Sequence, residues 1–98
     1  MSQTTDHTID IDTLYTLADK FIDLANELSQ QEAYSPNTVG TAFRYAATRF
    51  SAFEASMVAT DLARDKETIK VALLKDYDHM LEENLQVYIQ HQQAQQKS

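Results

Sequence analysis

The scarcity of turn-forming residues constrains this chain more than any other feature of its sequence. Its 98 residues include one glycine, Gly40, and one proline, Pro36, whereas average usage gives a chain of this length about seven glycines and five prolines. A β-sandwich or barrel needs turn residues roughly every ten positions, but helices joined by short connections need very few. The sequence therefore predicts an all-α fold, and its length predicts a single domain.

Charge and composition exclude several classes of function. The chain carries 15 acidic and 8 basic residues, a net charge of −7. This balance disfavours nucleic acids and anionic membranes as partners, because both attract clustered Lys and Arg. No apolar run approaches the roughly 18 residues of a membrane span, and the N-terminus lacks the residue order of a signal peptide. Because cysteine is absent, disulfides, thiolate metal sites and cysteine nucleophiles are excluded, and we expect a cytoplasmic protein.

A first helix is predicted near residues 10–33. Its apolar residues are spaced alternately three and four positions apart, which is the period of one helix face. Thr8 or Asp10 is placed to cap its start. The apolar face is four heptad positions wide in its central turns, so we expect this helix to contact at least two others. The apolar residues are Ile11, Leu14, Ala18, Phe21, Ala25 and Leu28.

A second helix is predicted near residues 37–63, with Ser35 as its cap and Pro36 at its start. One side of it is a Phe-rich face, made of Val39, Phe43, Ala46, Phe50, Phe53 and Met57. Its other side carries mostly small residues at the same spacing, and we call this the small-residue stripe. We take the stripe as a candidate interface, although a central helix that buries both faces within one chain explains it as well. The stripe consists of Tyr45, Thr48, Ala52, Ala55, Ala59 and Leu62.

A third helix is predicted near residues 66–91, but no glycine or proline marks its start. The apolar pattern stops over the polar stretch 64–67 and then resumes in register. If that stretch is a turn, with Asp65 or Thr68 capping the next helix, the chain forms a three-helix up-down-up antiparallel bundle. If it is helical, one long helix over 38–90 forms a helical hairpin that is dimeric. We favour the bundle, because a small core is best closed within one chain.

The bundle hypothesis implies a core and a domain organisation. We expect a flexible N-terminus over 1–9, a single helical domain over 10–91 and a flexible Gln-rich tail over 92–98. Apolar residues of all three helices would close the core. They are Leu14, Leu17, Phe21, Leu24, Leu28, Phe43, Phe50, Phe53, Met57, Leu74, Leu81 and Leu85.

One cluster on the third helix has residue types that bind metals. His79 lies one helical turn from Glu82 and Glu83, so these three are weak candidates for a metal or small-ligand site. Di-iron bundles, however, carry Glu-x-x-His on two helices, whereas here the order is reversed and occurs once. We therefore favour a solvated helix face.

Arg49 lies at the edge of the Phe-rich face. A partly buried arginine needs a carboxylate partner, and Glu54, Glu27 and Glu83 are candidates. We expect a structural ion pair that fixes the register of the helices. Contact with an anion or ligand is the alternative.

No set of residues indicates an enzyme. The serines lie in helical or capping contexts without the flanking glycines of a nucleophile elbow. Gly40 stands alone, so no phosphate-binding loop is possible. We therefore expect no catalytic residues and no cofactor.

Three segments resemble a small bacterial protein family of unknown function. They read ADKFIDLAN over residues 18–26, AFRYAATRFSAF over 42–53 and MLEENL over 80–85, and the resemblance covers about residues 14–90. It implies a short, stand-alone, all-helical bacterial protein. It provides no assigned catalytic or binding residues to transfer.

The sequence thus predicts a non-catalytic interaction module. It would bind a protein partner or a second copy of itself through the second helix, and a homodimer is expected. The alternative is a carboxylate and histidine site for a metal or small ligand. A third possibility, an acidic mimic of nucleic acid that occupies a basic partner, depends only on the charge.

Overall fold

The computed structural model describes residues 9–31 and 33–96, and within them the chain forms three α-helices and no strand. The helices are α1 (Ile11–Ser29), α2 (Pro36–Val58) and α3 (Leu62–Gln96). This confirms the all-α fold and the number of helices. The chain divides into two compact units between Ser51 and Ala52, and each is described by itself below. The up-down-up arrangement and the single domain over 10–91 stay predictions.

The start of α1 is fixed by a side-chain cap. Asp10 Oδ2 accepts hydrogen bonds from the backbone N–H of Thr13 at 3.1 Å and from its hydroxyl at 3.2 Å. Of the two predicted caps, Asp10 is thus confirmed, and Thr8 lies outside the described residues. At the other end, the N–H of Gln30 bonds to carbonyls of the last turn, so α1 ends at Ser29, four residues before the predicted boundary.

The start of α2 confirms the predicted cap and proline. Ser35 Oγ accepts from the backbone N–H of Thr38 at 3.1 Å and lies 3.0 Å from its hydroxyl. Pro36 is the first helical residue, where its missing N–H removes no helical hydrogen bond. The described backbone contains no residue with positive φ and no cis peptide bond. Gly40 therefore lies within α2 without using the conformational freedom that glycine alone has.

The connection between α2 and α3 is earlier than predicted. It consists of residues 59–61, and Asp61 Oδ1 accepts from the backbone N–H of Arg64 at 3.1 Å. The cap is therefore Asp61, and the prediction of Asp65 or Thr68 was wrong. The continuous helix over 38–90 was also wrong, because the helix is interrupted here.

The polar stretch 64–67 lies in the first turns of α3, and three of its four charged residues are paired locally. Arg64 Nε lies 2.9 Å from Asp65 Oδ1, and Lys70 Nζ lies 3.9 Å from Glu67 Oε1 one turn away. A run of charged residues is thus compatible with the exposed first turns of a helix. The polar gap in the apolar pattern marks the beginning of α3, and the chain turns just before it.

The third helix is the longest element. Its 35 residues correspond to about 52 Å at 1.5 Å per residue. It continues to Gln96, past the predicted end at residue 91, so residues 92–96 of the expected tail are helical. Residues 1–8 and 97–98 of the two expected flexible ends lie outside the described part of the chain.

The predicted core is not buried. Among the described residues Val39, at 8% exposure, is the only buried apolar side chain. Of the twelve predicted core residues, Leu14, Leu28 and Phe43 are half-buried. The physical reason is that burial needs a facing apolar surface, and within each unit these side chains meet too few others to be enclosed. The other nine are exposed: Leu17, Phe21, Leu24, Phe50, Phe53, Met57, Leu74, Leu81 and Leu85.

Candidate functional site: an apolar groove in the first unit

An apolar groove runs between α1 and α2 within the first unit. It has a volume of about 870 Å³, which falls within the range of ligand and peptide pockets. Residues of both helices and Tyr34 of their connection form it. They are Phe21, Leu24, Ala25, Leu28, Tyr34, Thr38, Val39, Ala42, Phe43, Ala46, Ala47, Phe50 and Ser51.

The groove has a closed side and an open side. Ala25, Leu28 and Phe43 are half-buried and Val39 is buried, so these residues form the packed floor between the helices. Other lining residues are far more exposed, as shown by Phe21 and Phe50, which are both 61% exposed. An open apolar surface of this kind is typical of a binding site for another apolar element.

The lining of the groove is mostly apolar. No carboxylate, imidazole, lysine or arginine is among the described residues that line it. Its polar groups are the phenol of Tyr34 and the hydroxyls of Thr38 and Ser51, and the hydroxyl of Thr38 already contacts Ser35 Oγ. Acid–base or nucleophilic chemistry needs an activating partner for such groups. The lining is therefore suited to bind an apolar surface.

Arg49 lies beside the open side of the groove. It follows Ala42 by seven residues and Ala46 by three, so the three residues share one face of α2. Its side chain is exposed, and it forms no ion pair within the described residues of the first unit. Within the first unit, the predicted partner Glu27 is not within ion-pair distance of it. Glu54 and Glu83 belong to the second unit, and their pairing with Arg49 stays a prediction.

The model of a family described as "Protein of unknown function (DUF3144)" matches residues 14–89. The chain belongs to this family. The match confirms the resemblance to a helical family of unknown function. No curated protein matches the chain, and no solved structure matches it.

In this DUF3144 member the small-residue stripe is divided between elements. Tyr45, Thr48 and Ala52 are exposed residues of α2, and Ala55 is half-buried there. The other two members leave the helix, since Ala59 lies in the connection and Leu62 is the first residue of α3. Neither Tyr45 nor Thr48 lines the groove, so the stripe and the groove are separate surfaces of α2.

The residues named as metal candidates do not form a metal site. His79, Glu82 and Glu83 are exposed on α3, and Glu82 Oε2 accepts from Gln86 Nε2 at 3.2 Å. Over residues 9–31 and 33–96, no group of three or more His, Cys, Asp or Glu side chains is arranged to hold a metal ion. One helix face offers these ligands from only one direction, whereas a metal site needs them to converge.

Other electrostatic features lie away from the groove. The carboxylate of Asp65 raises the pKa of Arg64 through their hydrogen bond, which outweighs the opposite effect of desolvation. This pair belongs to the first turn of α3. None of the helices described in this family member combines the length and the apolar character of a membrane span.

The open groove itself was missed by sequence reasoning. The apolar periodicities of α1 and α2 marked the groove residues as core and assumed that a third helix covers them. The Phe-rich face of α2 did indicate an apolar surface that needs a partner to cover it. Periodicity, however, identifies which side of a helix needs a partner and carries no information on which element supplies it.

Proposed function

We propose that this DUF3144 chain is a non-catalytic interaction module that associates with a second copy of itself. The observation that supports this is the exposure of its apolar residues, of which only Val39 is buried in the described chain. Burial of apolar surface is the dominant favourable contribution to folding. A chain that buries so little of it alone gains stability by pairing.

Covering the exposed apolar side chains would stabilise the protein considerably. Fully burying one Leu or Phe side chain is worth about 1.5–3 kcal/mol. Phe21, Leu24 and Phe50 line the groove and are each more than half exposed, so covering these three alone contributes about 3 kcal/mol. This is a large share of the net stability of a small domain.

The groove supports the proposal better than the small-residue stripe does. The groove combines two helices, a defined volume and large aromatic side chains, and aromatic residues in such pockets provide most of the energy of protein interfaces. Three of the six stripe residues are alanines, its large side chains are Tyr45 and Leu62, and Thr48 Oγ1 already donates to the carbonyl of Tyr45 at 2.8 Å. We therefore place the main interface at the groove and keep the stripe as the competing surface.

The first experiment measures the molar mass of the full chain by size-exclusion chromatography with light scattering over a wide range of concentration. We expect a dimer that dissociates on dilution and a melting temperature that rises with protein concentration. A monomer at every concentration, with a constant melting temperature, contradicts self-association.

A matched pair of substitutions identifies the surface. Ala46 and Thr48 are exposed residues of α2 within the first unit, and only Ala46 lines the groove. Ala46→Glu puts an unpaired charge into an apolar interface, so we expect it to weaken dimerisation roughly tenfold or more. Thr48→Glu adds the same charge at the stripe and should leave the dimer intact. The reverse result would assign the interface to the stripe.

A further inference from the structure

We draw no further inference here: the strongest candidate, the open side of the apolar groove between α1 and α2 in the first unit, carries none beyond the self-association proposed above, because nothing in the described part of the chain shows which segment or ligand covers it.

Discussion

The carboxylate of Asp61 accepts a hydrogen bond of 3.1 Å from the backbone N–H of Arg64, three residues later. Asp61 directly precedes the first residue of α3, so this bond satisfies one of the N–H groups that a helix start leaves without a partner. The bond defines where the third helix begins in a part of the chain without glycine or proline.

Replacing this cap should destabilise the protein measurably. We expect Asp61→Ala to lower the free energy of unfolding by about 1 kcal/mol, the usual contribution of an N-cap. Chemical denaturation at one fixed protein concentration measures it. Asp65→Ala, which removes an exposed ion pair with Arg64, should cost less than about 0.5 kcal/mol. Equal costs for the two variants would contradict the assignment of Asp61 as the cap.

Two valines of α2 test where the chain is packed. Val39 is 8% exposed and Val58 is 83% exposed. We expect Val39→Ala to cost about 2 kcal/mol, because it removes two buried methyl groups and leaves a space. Val58→Ala should change stability by less than about 0.5 kcal/mol. The comparison uses thermal or chemical unfolding, and a larger effect at Val58 would show that it is covered in the assembled protein.

Substitution of the single glycine should stabilise the protein. Gly40 lies inside α2 with ordinary helical φ, and a Cβ added there meets only Arg44 Nη1, at 3.4 Å. That atom is the end of a flexible side chain and moves easily. We expect Gly40→Ala to raise the free energy of unfolding by about 0.5–1 kcal/mol. A loss of stability would mean that another chain approaches the backbone closely at Gly40.

Divalent cations should leave the protein unchanged. His79, Glu82 and Glu83 lie on one exposed face of α3, outside any group arranged to hold a metal. Addition of Mn²⁺ or Ca²⁺ in moderate excess is therefore expected to produce no saturable heat in a calorimetric titration and no shift in melting temperature. A saturable signal that disappears in His79→Ala would revive the metal-binding alternative.

Hydrogen exchange provides a further test of the role of α3. The helix buries none of its residues in the described chain, and an isolated helix has little protection of its own. We expect the amides around Leu81 and Leu85 to exchange fast in dilute solution and slowly at concentrations where the dimer forms. Amides near Val39, which is packed within the first unit, should depend on concentration less. Equal behaviour of the two regions would argue against a role of α3 in self-association.

The outcome of sequence prediction differed between local and non-local features. The caps Asp10 and Ser35 were predictable, because each depends on a side-chain oxygen three residues before the N–H that it accepts from. The cap of α3 was not, because Asp61 precedes the polar stretch 64–67 that was taken as the turn. Local chemistry thus determined the beginnings of the first two helices.

Whether the predicted core is buried depends on which surface packs against it. The spacing of apolar residues along a helix does not identify that surface. Phe21 and Phe50 were correctly placed on the apolar faces of their helices, and both line the groove. Their enclosure was predicted from the assumption that one chain closes its own core. Both are 61% exposed, because a helical pattern defines a face that needs covering and leaves the source of the cover undetermined.

The described backbone contains no residue with positive φ and no cis peptide bond, and this determines what its connections require. No described position demands glycine, and the connection over 59–61 is made by ordinary residues and an aspartate cap. A side chain at Gly40 is therefore compatible with the helical backbone of α2. The starts of the helices depend instead on side-chain caps such as Asp10, Ser35 and Asp61.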